Sequence, residues 1–275
     1  MFDPQKQIDR AQKAYRKSLQ GFINELYKEI PSIDEDNYKE VASIIKGLGK
    51  NKKFVEYSEL LATKIVDVIN CESQQQWDKA TRELKVSQEI SKALKEEYPL
   101  IKERHELLIS QNIQVIKDIP DNIADMFTQH TKDAILSGRR TDSIVKELRT
   151  YLPEVAKSRI ELHARTQSSI AYSAFTQVRA EAVGANWYQW KTSKDSRVRN
   201  SHEHMENVLV RFDDPPSPEL LIGLKSQGKY NAGGTWNCRC YHVPVILISQ
   251  LTFPAKVHIK GQLIKMSKLQ FKKVA

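Results

Sequence analysis

Residues 179–192 read "RAEAVGANWYQWKT", and within them the chain changes character. Upstream of Gly184, apolar residues recur every three or four positions. Ile160, Ala164, Ala171, Phe175, Val178 and Ala182 share one helical face. Downstream, Trp187, Tyr188 and Trp190 crowd into a short aromatic run, as a β-strand prefers. Gly184 stands between the two textures, where a left-handed residue commonly ends a helix. Helices before this point and strands after it predict an α+β fold.

Working upstream, "DPQKQIDRAQKAYRKSLQGFINELYKEI" begins with Asp3 as an N-cap and Pro4 in the first turn. Ile8, Ala11, Tyr15, Leu19, Phe22, Leu26 and Ile30 then line one face of a helix that Pro31 stops. Similar spacing continues from Asp36 to about Asn112, broken at Gly47 and Gly49, and predicts several more helices with Trp77, Leu84 and Ile90 as core. Around "SGRRT", Gly138 is expected to end one helix and Thr141 to cap the next, with a further helix following "TYLP". Small residues on the face of that last helix allow a close approach by a neighbouring element.

Working downstream, "NVLVRF" predicts a second strand with Val208, Val210 and Phe212 on one side. "DDPPSPE" and "GKYNAGG" read as loops, and "RCYHVPVILI" as a third extended run. Pro244 marks that third run as an edge or a bulge. From Leu251 the chain carries six lysines and no acid, which reads as a basic tail. The expected organisation is a helical N-terminal region over 1–112 and a helical connector over 113–184. A small sheet-containing core over 185–250 and the basic tail over 251–275 complete it.

No run of apolar residues is long enough to span a bilayer, and no apolar stretch follows a basic start at the N-terminus. Three cysteines, Cys71, Cys238 and Cys240, make no disulfide framework. Both features fit a reducing cytoplasm. A net charge of +9 favours polyanionic neighbours, and Lys256, Lys260, Lys265, Lys268, Lys272 and Lys273 are the candidate DNA contacts.

Chemistry concentrates in two places. "KTSKDSRVRNSHEHMEN" places Asp195, Arg197, Arg199, His202 and His204 in a loop between strands, and "NCRCYH" places Cys238, Arg239, Cys240 and His242 about 36 residues further on. In a strand, alternate side chains share a face, so Cys238, Cys240 and His242 point one way and Arg239 the other. Three readings stand open. His202, Cys238 and Cys240 bind zinc, with His204 or His242 as fourth ligand, because thiolate and imidazole suit this borderline-soft ion. Alternatively, the polar groups form a salt-bridged latch around small buried thiols, with no cofactor. In the third, a histidine beside carboxylates and arginines cuts a phosphodiester, as in a metal-dependent nuclease or other hydrolase.

Taken together, the "ARTQSSIAYSAF" helix, the Trp-containing strand, "DSRVRNSH", a Pro-rich loop and "NCRCYHVPV" resemble the phage head morphogenesis family, the Mu F-like minor head proteins. The resemblance covers roughly residues 115–247. The family motif lands on Asp195, Arg197, Arg199, His202, Cys238, Arg239 and Cys240. Where the family pattern has cysteines, this chain has Arg199 and His202, and Thr235 replaces a histidine. The resemblance implies a non-enzymatic minor capsid protein that assists head assembly near the portal and packaged DNA. Its implied partners are portal or major capsid protein, and its implied places are the host cytoplasm during assembly and the procapsid or virion. An enzyme built on the same cluster is the alternative, and a general DNA-binding protein the third.

Overall fold

The computed structural model describes residues 4–86, 88–96 and 98–275. The expected α+β architecture holds. Six helices come first: α1 (Gln5–Lys28), α2 (Val41–Gly49), α3 (Lys52–Leu84), α4 (Gln88–Glu96), α5 (Tyr98–Leu136) and α6 (Thr141–Ala182). Strands then dominate: β1 (Trp187–Thr192), a short α7 (Asn200–Glu203), β2 (Leu209–Arg211), β3 (Cys240–Pro244), β4 (Ala255–Ile259) and β5 (Gln262–Met266), closed by α8 (Lys268–Lys272). The Asp3 cap expected for α1 lies outside the described residues.

The chain forms two compact units that share its long helices. One unit takes Lys13–Asp67 and Leu107–Ala164, and its regular elements are all helices. Its core is the apolar stripe read from the sequence: Tyr15, Leu19, Phe22 and Leu26 are all buried. Phe22 meets Phe54 edge-to-face at 5.6 Å, and Tyr15 Oη donates to the buried Asn112 Oδ1 at 2.8 Å. In the same unit α6 runs unbroken through Pro153, where the sequence predicts a stop after "TYLP". A proline inside a helix costs about 3 kcal/mol. Leu148 and Leu152 before it, and Val155, Ala156 and Ile160 after it, are buried on both sides and offset that loss. Thr141 is the first helical residue rather than the cap, and position 112 falls inside α5, so the expected boundary there ends no element.

The other unit comprises the start of α1 through Gln12, Val68–Glu106 and Arg165–Ala275. Its five-stranded sheet runs β3-β1-β2-β4-β5, with β2 and β4 parallel and every other neighbouring pair antiparallel. Trp77 from α3 and Ala180 from α6 join Tyr188, Trp190, Val208, Val210 and Phe212 in one core cluster. Trp187, Leu209, Val257, Met266 and Phe271 form a second. Alternate residues of β1 and β2 feed the two clusters, so the central strands are apolar on both faces. Pro244 lies in the edge strand β3, where a missing ladder donor costs least.

The basic tail expected over 251–275 is not a tail. "KVHIKGQLIKM" folds as a hairpin whose Lys260–Gly261 turn has positive φ at both residues, +47° and +81°. Val257 and Phe271 are buried, and the six lysines stand exposed on this folded frame. Hairpin turns of two residues favour such φ values, and a glycine at the second makes one accessible.

Candidate functional site

The cluster is assembled by β1, α7 and the residues entering β3. After β1, Asp195 turns the chain back: its carboxylate accepts from the Arg197 backbone N–H at 2.9 Å and from the Ser193 hydroxyl at 3.0 Å. Arg239 comes from the facing chain, and its Nε donates to Asp195 Oδ2 at 2.5 Å. The loop therefore wraps the strand. Arg199 precedes α7 and donates to the Trp236 carbonyl at 2.7 Å, a second tie between the loop and the segment leading into β3.

These bonds hold α7 so that His202 points inward. Its Nδ1 lies 3.6 Å from Cys238 Sγ and 3.4 Å from Cys240 Sγ. All three side chains are 1–2% exposed. Cys240 opens β3, whereas Cys238 sits in the turn before it, where Asn237 has φ +52° and Cys238 N–H donates to the Thr235 carbonyl. That curl brings Cys238 back beside Cys240; a fully extended pair would stand about 7 Å apart.

Behind His202 stand two residues that the motif reading missed, Tyr230 and Glu219. Tyr230 Oη donates to Glu219 Oε1 at 2.6 Å, and Ser201 Oγ donates to the same oxygen at 3.2 Å. Tyr230 has then used its proton, so its lone pair receives His202 Nε2–H at 3.1 Å. This relay places the ring proton on Nε2 and leaves the Nδ1 lone pair facing the sulfurs. An acidic group reached through the second ring nitrogen is the arrangement that orients metal-binding histidines. Between the thiols, the Cys240 hydrogen bond holds the Cys238 thiol down, while burial pushes the Cys240 thiol up.

The other two expected ligands are not recruited. His204 is exposed at the end of α7. His242 is buried against Tyr188 and Phe212, with ring centroids at 4.4 and 5.1 Å, and burial lowers its pKa to about 3 against the opposing effect of the Ser173 backbone. Its ring packs into this aromatic core instead of turning toward His202 Nδ1. Among the described residues, His202, Cys238 and Cys240 are the group whose donor atoms converge, within 4.8 Å of one another.

Burial alone would raise the Asp195 carboxyl, but the Arg197 N–H, the Arg239 guanidinium and the Ser193 hydroxyl hold it below its ordinary range. A carboxylate with a depressed folded pKa stabilises the fold above its unfolded pKa, and loses that contribution as pH falls through the folded value. Asp195→Asn should accordingly lower the melting temperature at neutral pH. The gap to wild type should close as pH falls below about 4, the ordinary aspartate range. A gap that stays constant with pH would show that Asp195 carries no such charge-dependent contribution.

Residues 125–243 match the family described as Phage Mu protein F like protein, a span that holds every motif residue named above. The resemblance read from "DSRVRNSH" and "NCRC" is thus borne out: the chain carries a Mu F-like region. A stretch of 151 residues, 54% of the chain, is 32% identical to an uncharacterized protein of Haemophilus influenzae. The chain spans about a third of that curated relative's length, 31%. No solved structure matches. No described helix is long and apolar enough to cross a membrane.

Proposed function

We propose that this chain is a minor head protein of a phage or prophage that assists head morphogenesis without catalysing a reaction. The Mu F-like match over residues 125–243 carries the reading. The site's construction supports it. Its histidine and both thiols face inward and are only 1–2% exposed. Side chains so buried offer a phosphodiester no reacting group at the surface, which disfavours the hydrolase alternative. The Asp195–Arg239 pair and the buried cluster instead fasten the β1–β2 loop to β3.

The same reading assigns one zinc ion to His202 Nδ1, Cys238 Sγ and Cys240 Sγ. Three of the four donors that a structural zinc takes converge here, two thiols and an imidazole lone pair, and Tyr230 and Glu219 fix the tautomer. When bound, zinc would act as a cross-link between α7 and the start of β3.

Portal or major capsid protein is the proposed partner, in the host cytoplasm during assembly and in the procapsid or virion afterwards. Tagged chain isolated from phage-producing cells should bring down portal or major capsid protein and sediment with procapsids. Absence from procapsids, together with metal-dependent DNA cleavage by the purified protein, would replace this reading with the hydrolase. The whole 275-residue chain is the material to use, because α5 runs without interruption across residue 112.

A further inference from the structure

β5 is an outer strand of the sheet and pairs with β4 alone. Its register is set by the two-residue turn, with Ile259 opposite Gln262, Val257 opposite Ile264 and Ala255 opposite Met266. Residues flanking such a turn exchange both backbone hydrogen bonds, and the pattern then alternates. Gln262, Ile264 and Met266 therefore bond inward, while Leu263 and Lys265 turn their N–H and C=O groups outward. Among the described residues, neither has another hydrogen-bond partner for them. An open row of this kind is a template for one more strand.

The surroundings select what that strand would be. Lys256, Lys260, Lys265, Lys268, Lys272 and Lys273 are all exposed, and no acid occurs from Leu251 to Ala275. Lysine at a sheet edge discourages pairing with a like-charged strand, so a second copy of β5 is a poor occupant. An acidic segment meets the opposite condition. Ile264 and Leu269, 40% and 69% exposed, give its apolar side chains a place to rest. Duplex DNA would use the lysines but neither the outward backbone groups nor these apolar side chains.

We infer that the outer edge of β5 is a docking site for an extended, acidic segment of a partner protein, added to the sheet as a sixth strand. This goes beyond the head-assembly reading and stands without it. The probe is a short fluorescein-labelled peptide alternating glutamate and valine, with a lysine–valine peptide and duplex DNA as comparisons. The acidic peptide should bind the full chain and slow amide exchange at Leu263 and Lys265. Lys265→Pro removes one outward N–H without touching the β4 pairing, and should weaken binding about tenfold beyond the charge-only control Lys265→Gln. Equal binding by the two variants, or binding without protection at Leu263 and Lys265, would overturn the inference. Tighter binding of duplex DNA, again without that protection, would show the lysines to be a nucleic-acid patch instead.

Discussion

Gly233→Ala should destabilise the sheet-containing unit by about 3 kcal/mol or more, through two costs that can be separated. Gly233 has φ +79°, a conformation that costs a side-chain-bearing residue roughly 1–2 kcal/mol. A Cβ there would also stand 2.1 Å from Ser173 Oγ and 3.1 Å from the Cys240 carbonyl oxygen. Ser173 cannot simply rotate away. Its hydroxyl donates to the Ala232 carbonyl at 3.0 Å, and leaving that buried acceptor unpaired costs about 1–3 kcal/mol more. The close approach matters because it seats the loop before β3 against α6, in front of the two cysteines. Chemical denaturation of the single and double variants checks the account. Ser173→Ala removes the clashing oxygen but leaves the same Ala232 carbonyl unpaired, so the double variant should be no less stable than Gly233→Ala alone, a non-additive pair. Wild-type stability for Gly233→Ala would show that α6 and this loop do not pack as described.

The small residues that permit this approach are legible in the sequence, since "TQSSIAYSAF" puts serines and alanines where α6 meets the loop. The stripe of α1 and the aromatic run of β1 are legible for a similar reason: one face of each element dictates a regular spacing. Tyr230 and Glu219 are not. They stand 28 and 17 residues from His202, in segments that read as loops, and only the fold brings their oxygens together behind the ring. The hairpin of β4 and β5 is an intermediate case. Alternation around "KG" signals two strands and a tight turn, but six lysines in 25 residues mask it when charge is weighed first. Pro153 misleads in the opposite direction: a local breaker loses to buried residues on both sides of it. His242 shows the limit of face-sharing. Strand periodicity predicts the direction of a side chain, while ligand convergence depends on the turn at Asn237 that bends Cys238 back.

Removing the proposed zinc ion should have the second large effect. Protein purified without a polyhistidine tag is expected to carry about one zinc per chain, because two thiols and one imidazole lone pair are already gathered within bonding reach of a single ion. Binding confined to the folded state stabilises it by mass action: zinc at a thousand times its dissociation constant contributes about 4 kcal/mol. For a unit of this size, that corresponds to a melting temperature roughly 10 °C lower after chelation. Cys238→Ser and Cys240→Ser should each lose the metal and melt near the chelated wild type. His204→Ala should keep it, because its ring is exposed at the end of α7, and so should a conservative change at His242, whose ring packs against Tyr188 and Phe212. Tyr230→Phe makes the sharper test of the relay behind His202. It removes the acceptor for Nε2–H without touching a ligand, so zinc affinity should fall by roughly 10–100-fold while the metal-free protein stays folded. Metal-free protein as isolated, with a melting temperature indifferent to chelator, would reject the ion. The thiols and His202 would then hold the loop by hydrogen bonding alone.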